Sequence, residues 1–166
     1  MSRTRGRPAK ERLVASEEAV KAVKQMLKGN EAFLTSRNRC MLLPRKRPTM
    51  MRKLNLNTDA YEETGRIEYN RELASRIHPD DRKYMELYEQ SMITVWVLEH
   101  GVASITDERT RAIAEDTLLK GKSCASLEGK YGMTSRGLRK QKRQAIIAVA
   151  AFAESMNFSS VFKPNL

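Results

Sequence analysis

Apolar residues recur at intervals of three and four along much of this 166-residue chain, a period that predicts an all-α protein. Ser16 followed by Glu17 and Glu18 marks a helix start: the hydroxyl can cap free N–H groups and the acids suit the positive helix end. Val20, Val23, Leu27 and Leu34 then form a stripe, with Gly29-Asn30 as an interruption. Pro44 to Pro48, enclosing Arg45-Lys46-Arg47, predicts a basic loop or linker because proline cannot continue a helix; a nuclear-targeting signal has a similar look. Residues 50–78 are weakly patterned, with a helix expected over 59–77 and Leu54, Leu56, Ile67, Leu73 and Ile77 as buried points. Pro79-Asp80-Asp81 opens a stronger helix, carrying Trp96 and the stripe Tyr84, Leu87, Tyr88, Val95 and Leu98, and closed by His100-Gly101. Ile93 to Leu98 could alone be a short strand, but its continuity with that stripe favours helix. Thr106 is expected to cap the next helix, with Asp107 and Glu108 in its first turn, Ile113, Leu118 and Leu119 as apolar packing groups, and an end near Gly121.

From Gly121 to Ile146 the pattern changes to two helices around a tight turn, the arrangement of a helix-turn-helix. Ser123 can cap a short first helix whose Leu127 and Tyr131 share a face. Gly132 supplies a left-handed turn, Met133 plugs the core, and Thr134 or Ser135 caps a second helix with Leu138, Ala145 and Val149 inward. Arg136, Arg139, Lys140 and Arg143 are left facing outward. A helix that presents its first half to a major groove needs short polar groups first and long cations after them. Ser135 and Arg136 could reach base edges while Lys140 and Arg143 neutralise phosphates. Two features run against the pattern: Glu128-Gly129 stands where a small residue and a good helix former are usual, and Gly137 costs about 1 kcal/mol relative to alanine. An ordinary helical hairpin with a solvated basic face is the alternative. Beyond Gln144, AIIAVAAFA from Ala145 to Ala153 is apolar on every side, and Phe152 and Met156 extend it. One face of a three-helix unit cannot consume that surface. Either the middle of the chain covers it or a second copy does, forming a homo-oligomer through Ala145–Met156.

Charge sharpens this division. Residues 1–53 carry 15 basic against 4 acidic groups, residues 54–120 carry 8 against 14, and residues 121–166 carry 8 against 2, within an overall charge of +11. Both ends would attract a polyanion such as double-stranded DNA, whereas the acidic middle would be repelled and is free for other work. The first fifteen residues contain five cations and little that could build a core, so a flexible basic arm is expected. Its Arg5-Gly6-Arg7-Pro8 resembles an AT-hook, whose arginines enter a narrow minor groove; a nonspecific phosphate-binding arm is the other reading. The divisions expected are an arm (1–15), a basic helix and linker (16–53), an acidic helical region (54–103), a trihelical DNA-binding unit (104–158) and a tail (159–166).

The run Gly121-x-Ser123, Leu127, Tyr131-Gly132-Met133-Thr134-Ser135, Leu138-Arg139-Lys140 and Ala145-Ile146 resembles the region-4 helix-turn-helix of sigma factors. It is most similar to phage and prophage late transcription regulators of the ArpU and RinA kind. The likeness extends from Asp107 to Glu154. It implies activation of a phage operon and DNA contact at Ser135, Arg136, Arg139, Lys140 and Arg143; if the acidic middle contacts RNA polymerase or a second subunit, activation would follow from recruitment. The DNA-recognition small subunit of a phage packaging terminase is a second expectation, since such proteins also join basic N-termini to helix-turn-helix units. A module that binds a protein partner through its acidic middle is a third.

Little supports catalysis. Gly121-Lys122-Ser123 imitates the end of a phosphate-binding P-loop, but Asp116 stands where that motif needs glycine, and the context is helical. His78 and His100 lie beside expected helix ends, and Asp80-Asp81 and Asp107-Glu108 are helix-start acids. Cys40 and Cys124 have no neighbours at metal-ligand spacing, which predicts free thiols and no zinc. No enzyme activity, cofactor or metal is expected. The chain has no apolar run of about 20 residues and no signal-peptide core at its N-terminus, so a cytoplasmic, membrane-free protein is expected.

Overall fold

A computed structural model describes residues 15–27, 32–53 and 78–156, together with Tyr61, Gly65, Glu72 and Arg76. These residues are predominantly helical and contain no strand. The expected arm, the helix over 59–77 and the tail lie almost wholly outside the described residues. Among the described residues the continuous helices are, in chain order, α1 (Glu17–Leu27), α2 (Ala32–Lys46), α3 (Pro48–Lys53), α4 (Pro79–Ala103), α5 (Glu108–Ala114), α6 (Cys124–Tyr131) and α7 (Ser135–Ser155). A π-helical turn, Glu115–Leu119, continues α5.

The main core forms where α4 and α7 meet, with α1 laid over α7 and α2 over α4. Ser16 caps α1 by accepting from the Ala19 N–H at 3.1 Å. Its own N–H donates to Glu154 Oε1 at 2.7 Å, tying the start of α1 to the end of α7. Ala19 and Val23 then bury in the same core as Ala145, Val149 and Ala153 of α7, the helix that α1 contacts. The apolar stretch from Ala145 onward is therefore covered by α1 and α4 of the same chain, and only Ile147, Ala151, Phe152 and Met156 of its apolar residues stay partly open. No second copy is needed to bury it.

Helix α4 begins where Pro79 suggested. His78 Nδ1 accepts from the Asp80 N–H at 3.2 Å, and proline occupies the first position, where no N–H is missed. It is buried on several sides rather than along one stripe: Ser91, Ile93, Thr94, Trp96, Val97, Leu98 and Val102 all face neighbours. The expected stop at His100-Gly101 is corrected, because the helix runs on to Ala103. Gly101 serves the crossing with α7: a Cβ there would lie 2.9 Å from Val149 Cγ1 and 3.2 Å from its Cβ. His100 stacks on Trp96, whose far neighbour is Phe152.

The basic linker at Pro44–Pro48 is a second correction. Pro44 lies inside the last turn of α2, where it forfeits one hydrogen bond close to the helix end, and Pro48 starts α3 after Arg47 alone. Packing outweighs that missing bond: Leu43 and Met50 are buried, and Arg47 pairs with Asp81 at 3.1 Å and covers the Tyr84 ring at 4.5 Å. Burial also pushes the Cys40 thiol up to about 11, so it stays protonated at neutral pH beside Leu43 and Tyr88.

A third difference is the cap of α5. Asp107, rather than Thr106, accepts from the Thr110 N–H at 2.8 Å and its hydroxyl at 2.7 Å. These bonds hold the Asp107 carboxyl below its usual pKa.

Candidate nucleic-acid interface

Helices α5, α6 and α7 close a small core of their own, in which Ile113, Leu127 and Leu138 are buried and Cys124, Tyr131 and Met133 pack around them. Each end of α6 is fixed locally. The extended Ser123 accepts from the Ser126 N–H at 3.3 Å. At the other end Gly132 adopts φ 61°, a left-handed conformation that glycine enters without a Cβ penalty, and its N–H reaches the Glu128 carbonyl. Two residues later Thr134 caps α7 through the Gly137 N–H at 3.2 Å. Gly137 itself sits where a Cβ would come within 3.3 Å of Met133 Cε, so the side chain that plugs the turn leaves tight space there.

Glu128 is a latch across the turn. Its Oε1 accepts from the Ser135 N–H at 2.7 Å and the Ser135 hydroxyl at 2.5 Å, which holds its pKa down. A carboxylate there also suits the positive start of α7. What looks like a defect against the sequence pattern is thus a bond between the two helices. At Gly129 a Cβ would meet nothing within 4 Å, so that residue does not limit how closely α6 packs.

A second fastening lies behind α6. The π-helical turn, closed by the Lys120 N–H to the Glu115 carbonyl at 2.9 Å, directs Asp116 inward, where it is 1% exposed. Its Oδ2 accepts from Lys130 Nζ at 2.7 Å and the Tyr131 hydroxyl at 2.5 Å, and Lys120 and Lys122 lie 3.6 and 3.5 Å from Oδ1. Burial alone would raise this carboxyl's pKa. The Lys130 and Tyr131 hydrogen bonds and the lysine charges outweigh it, so the group is held well below its usual range. Lys130 is pushed up in return by Asp116, and Tyr131 is pushed up by burial and by the carboxylate. Arg109 adds a bond to the Tyr131 carbonyl at the end of α6. Thr110 meets the Gln141 side-chain amide at 3.0 Å, linking α5 to α7.

Arg136, Arg139, Lys140 and Arg143 are all exposed on one face of α7, opposite buried Leu138 and Ala145. Among the described residues none of the four has an ion-pair partner, whereas Lys120, Lys122 and Lys130 share Asp116. Ser135 is placed differently from these cations, half-buried and engaged through both its donors by Glu128. Arg5 and Arg7 lie outside the described residues. The roles of Asp116, Glu128 and Arg109 are not legible in the sequence, and the only local sign of the first is Lys120 four residues on.

No group of three or more His, Cys, Asp and Glu residues among the described residues is arranged to hold a metal, and no helix there is long and apolar enough to cross a membrane. No protein-family model, curated protein or solved structure matches the chain.

Proposed function

We propose that the chain is a sequence-specific DNA-binding regulator of transcription that inserts the first half of α7 into a major groove as the second helix of a helix-turn-helix. One observation carries the reading: four exposed cations, without ion-pair partners among the described residues, occupy one face of a helix start that a glycine turn, two caps and the Glu128 latch hold rigidly against α6. A loosely solvated basic face has no need of a turn fastened at so many points. Rigid presentation is what base reading requires, because bidentate hydrogen bonds tolerate little displacement. Arg136 and Arg139, nearest the helix start, are assigned to base edges, and Lys140 and Arg143 to phosphates. Ser135 acts by fixing the angle of α7. The resemblance to phage and prophage late regulators supplies the setting: a phage-type operon whose activation would involve RNA polymerase.

The test is selection from a pool of random duplexes with the full chain, across a salt series. An enriched motif that Arg136→Ala abolishes is the expected result. Salt-sensitive binding without enrichment, unchanged by that substitution, would mean that the basic segments hold phosphate and read nothing.

A further inference from the structure

Helix α2 buries one side and leaves the other with an unusual surface. Phe33, Ser36 and Leu43 face the protein. On the opposite side Leu34, Met41 and Leu42 are 40%, 56% and 49% exposed, and they are the exposed large hydrophobic residues among the described ones. Leu34 and Met41, seven apart, fall on one line two turns long, about 10 Å, with Leu42 beside them. Exposed cations border this line: Arg37 on one side, Arg39 and Lys46 on the other, Arg45 along it. Neither α2 nor α3 contains an acid, and none of these four cations forms an ion pair among the described residues.

We propose that this face of α2 docks an acidic amphipathic helix from another protein, which sets apolar side chains on Leu34, Met41 and Leu42 and carboxylates against the flanking arginines and lysine. Both halves of the surface bear on the choice of occupant. DNA would use the cations but has no use for three solvated aliphatic groups, whereas a helix with acids beside its apolar stripe satisfies both. A lipid surface calls for a broad apolar face, and here Asn38 and Arg45 interrupt a narrow one. Charge complementarity selects an acidic partner over a neutral one and speeds its encounter. The surface is separate from the cations of α7, so the proposal does not rest on the DNA reading.

The experiment uses the full chain and a fluorescent 18-residue peptide with leucines at helical spacing flanked by glutamates, beside a scrambled peptide of equal composition. Phosphatidylserine vesicles and a DNA duplex serve as rival ligands. The patterned peptide should bind at least about tenfold more tightly than the scrambled one, and a combined L34S, M41S and L42S variant should lose about tenfold of that binding. Arg39→Glu with Arg45→Glu, which leaves the apolar stripe intact, should weaken it similarly. DNA affinity of the serine variant should stay within about twofold, and its unfolding midpoint should match the parent because the replaced groups are exposed. Equal binding of both peptides, no effect of either variant, vesicle binding that alone responds to them, or self-association through this face would each overturn the proposal.

Discussion

The two halves of α7 obey different rules. From Ser135 to Gln144 the helix buries one side chain fully, Leu138, and otherwise offers water a row of cations. From Ala145 to Ala153 nearly every residue packs, and the packing partners come from α1 and α4, more than a hundred and more than forty residues away in sequence. The second half is an anchor that ties the small three-helix unit into the body of the protein; the first half is what the anchor presents. Stability thereby rests on the second half of this one rod, and the proposed DNA contacts on the first. Substitutions should separate accordingly.

The sharpest way to test the anchor is the crossing of α4 and α7. Gly101→Val places side-chain atoms where even a Cβ lies 2.9 Å from buried Val149, and it should cost about 3 kcal/mol in denaturant unfolding. Adding Val149→Ala should recover part of the loss, since the two positions share one space. An unchanged midpoint in the single variant would break the distinction between the halves.

Asp116 comes next. Asp116→Ala removes the acceptor from Lys130 and Tyr131 and should cost about 2 kcal/mol near neutral pH. Since folding lowers this carboxyl's pKa from an ordinary 3.8, its contribution is fully present above that value and is lost as pH falls through the folded one. Parent and variant stabilities, followed by chemical unfolding across an acid series, should therefore converge at low pH. A gap that persisted or widened there would show that the group does not act through its charge.

What the sequence disclosed and what it concealed follow from the range of each interaction. Ser16, Ser123 and Thr134 are legible as caps because a cap acts within three residues, and Gly132 is legible because its φ of 61° concerns its own backbone. The inward positions Leu127, Leu138, Ala145 and Val149 follow from period alone. Gly101 misleads for the converse reason: a glycine near an expected helix end reads as a stop, whereas its use lies in a residue 48 positions later. Asp116 meets partners 14 and 15 residues ahead. Glu128 stands seven residues before Ser135, but the two lie on different helices with a turn between them, so helical spacing says nothing of their contact. Pro44 shows a propensity overruled by packing, with Leu43 and Arg47 seated on α4.

A smaller effect is expected at the turn between the two sets of rules. Gly132→Ala should cost about 1 kcal/mol, because alanine resists the left-handed conformation although nothing crowds the position. Differential scanning calorimetry would detect it. If stability were unchanged, the turn would be looser than its hydrogen bonds imply.

The smallest effect on stability belongs to the cations of α7, and there the largest effect on binding is expected. A variant with Arg136, Arg139, Lys140 and Arg143 all replaced by alanine should unfold within about 0.5 kcal/mol per site of the parent, since each side chain is exposed. The most direct measurement is the affinity of parent and variant for the same selected duplex as a function of salt, with unfolding followed on the same samples. The expected result is a folded variant that binds at least about a hundredfold more weakly, with a salt slope shallower by about 0.9 for each phosphate no longer neutralised. A folded variant with unchanged affinity and slope would contradict DNA reading by α7.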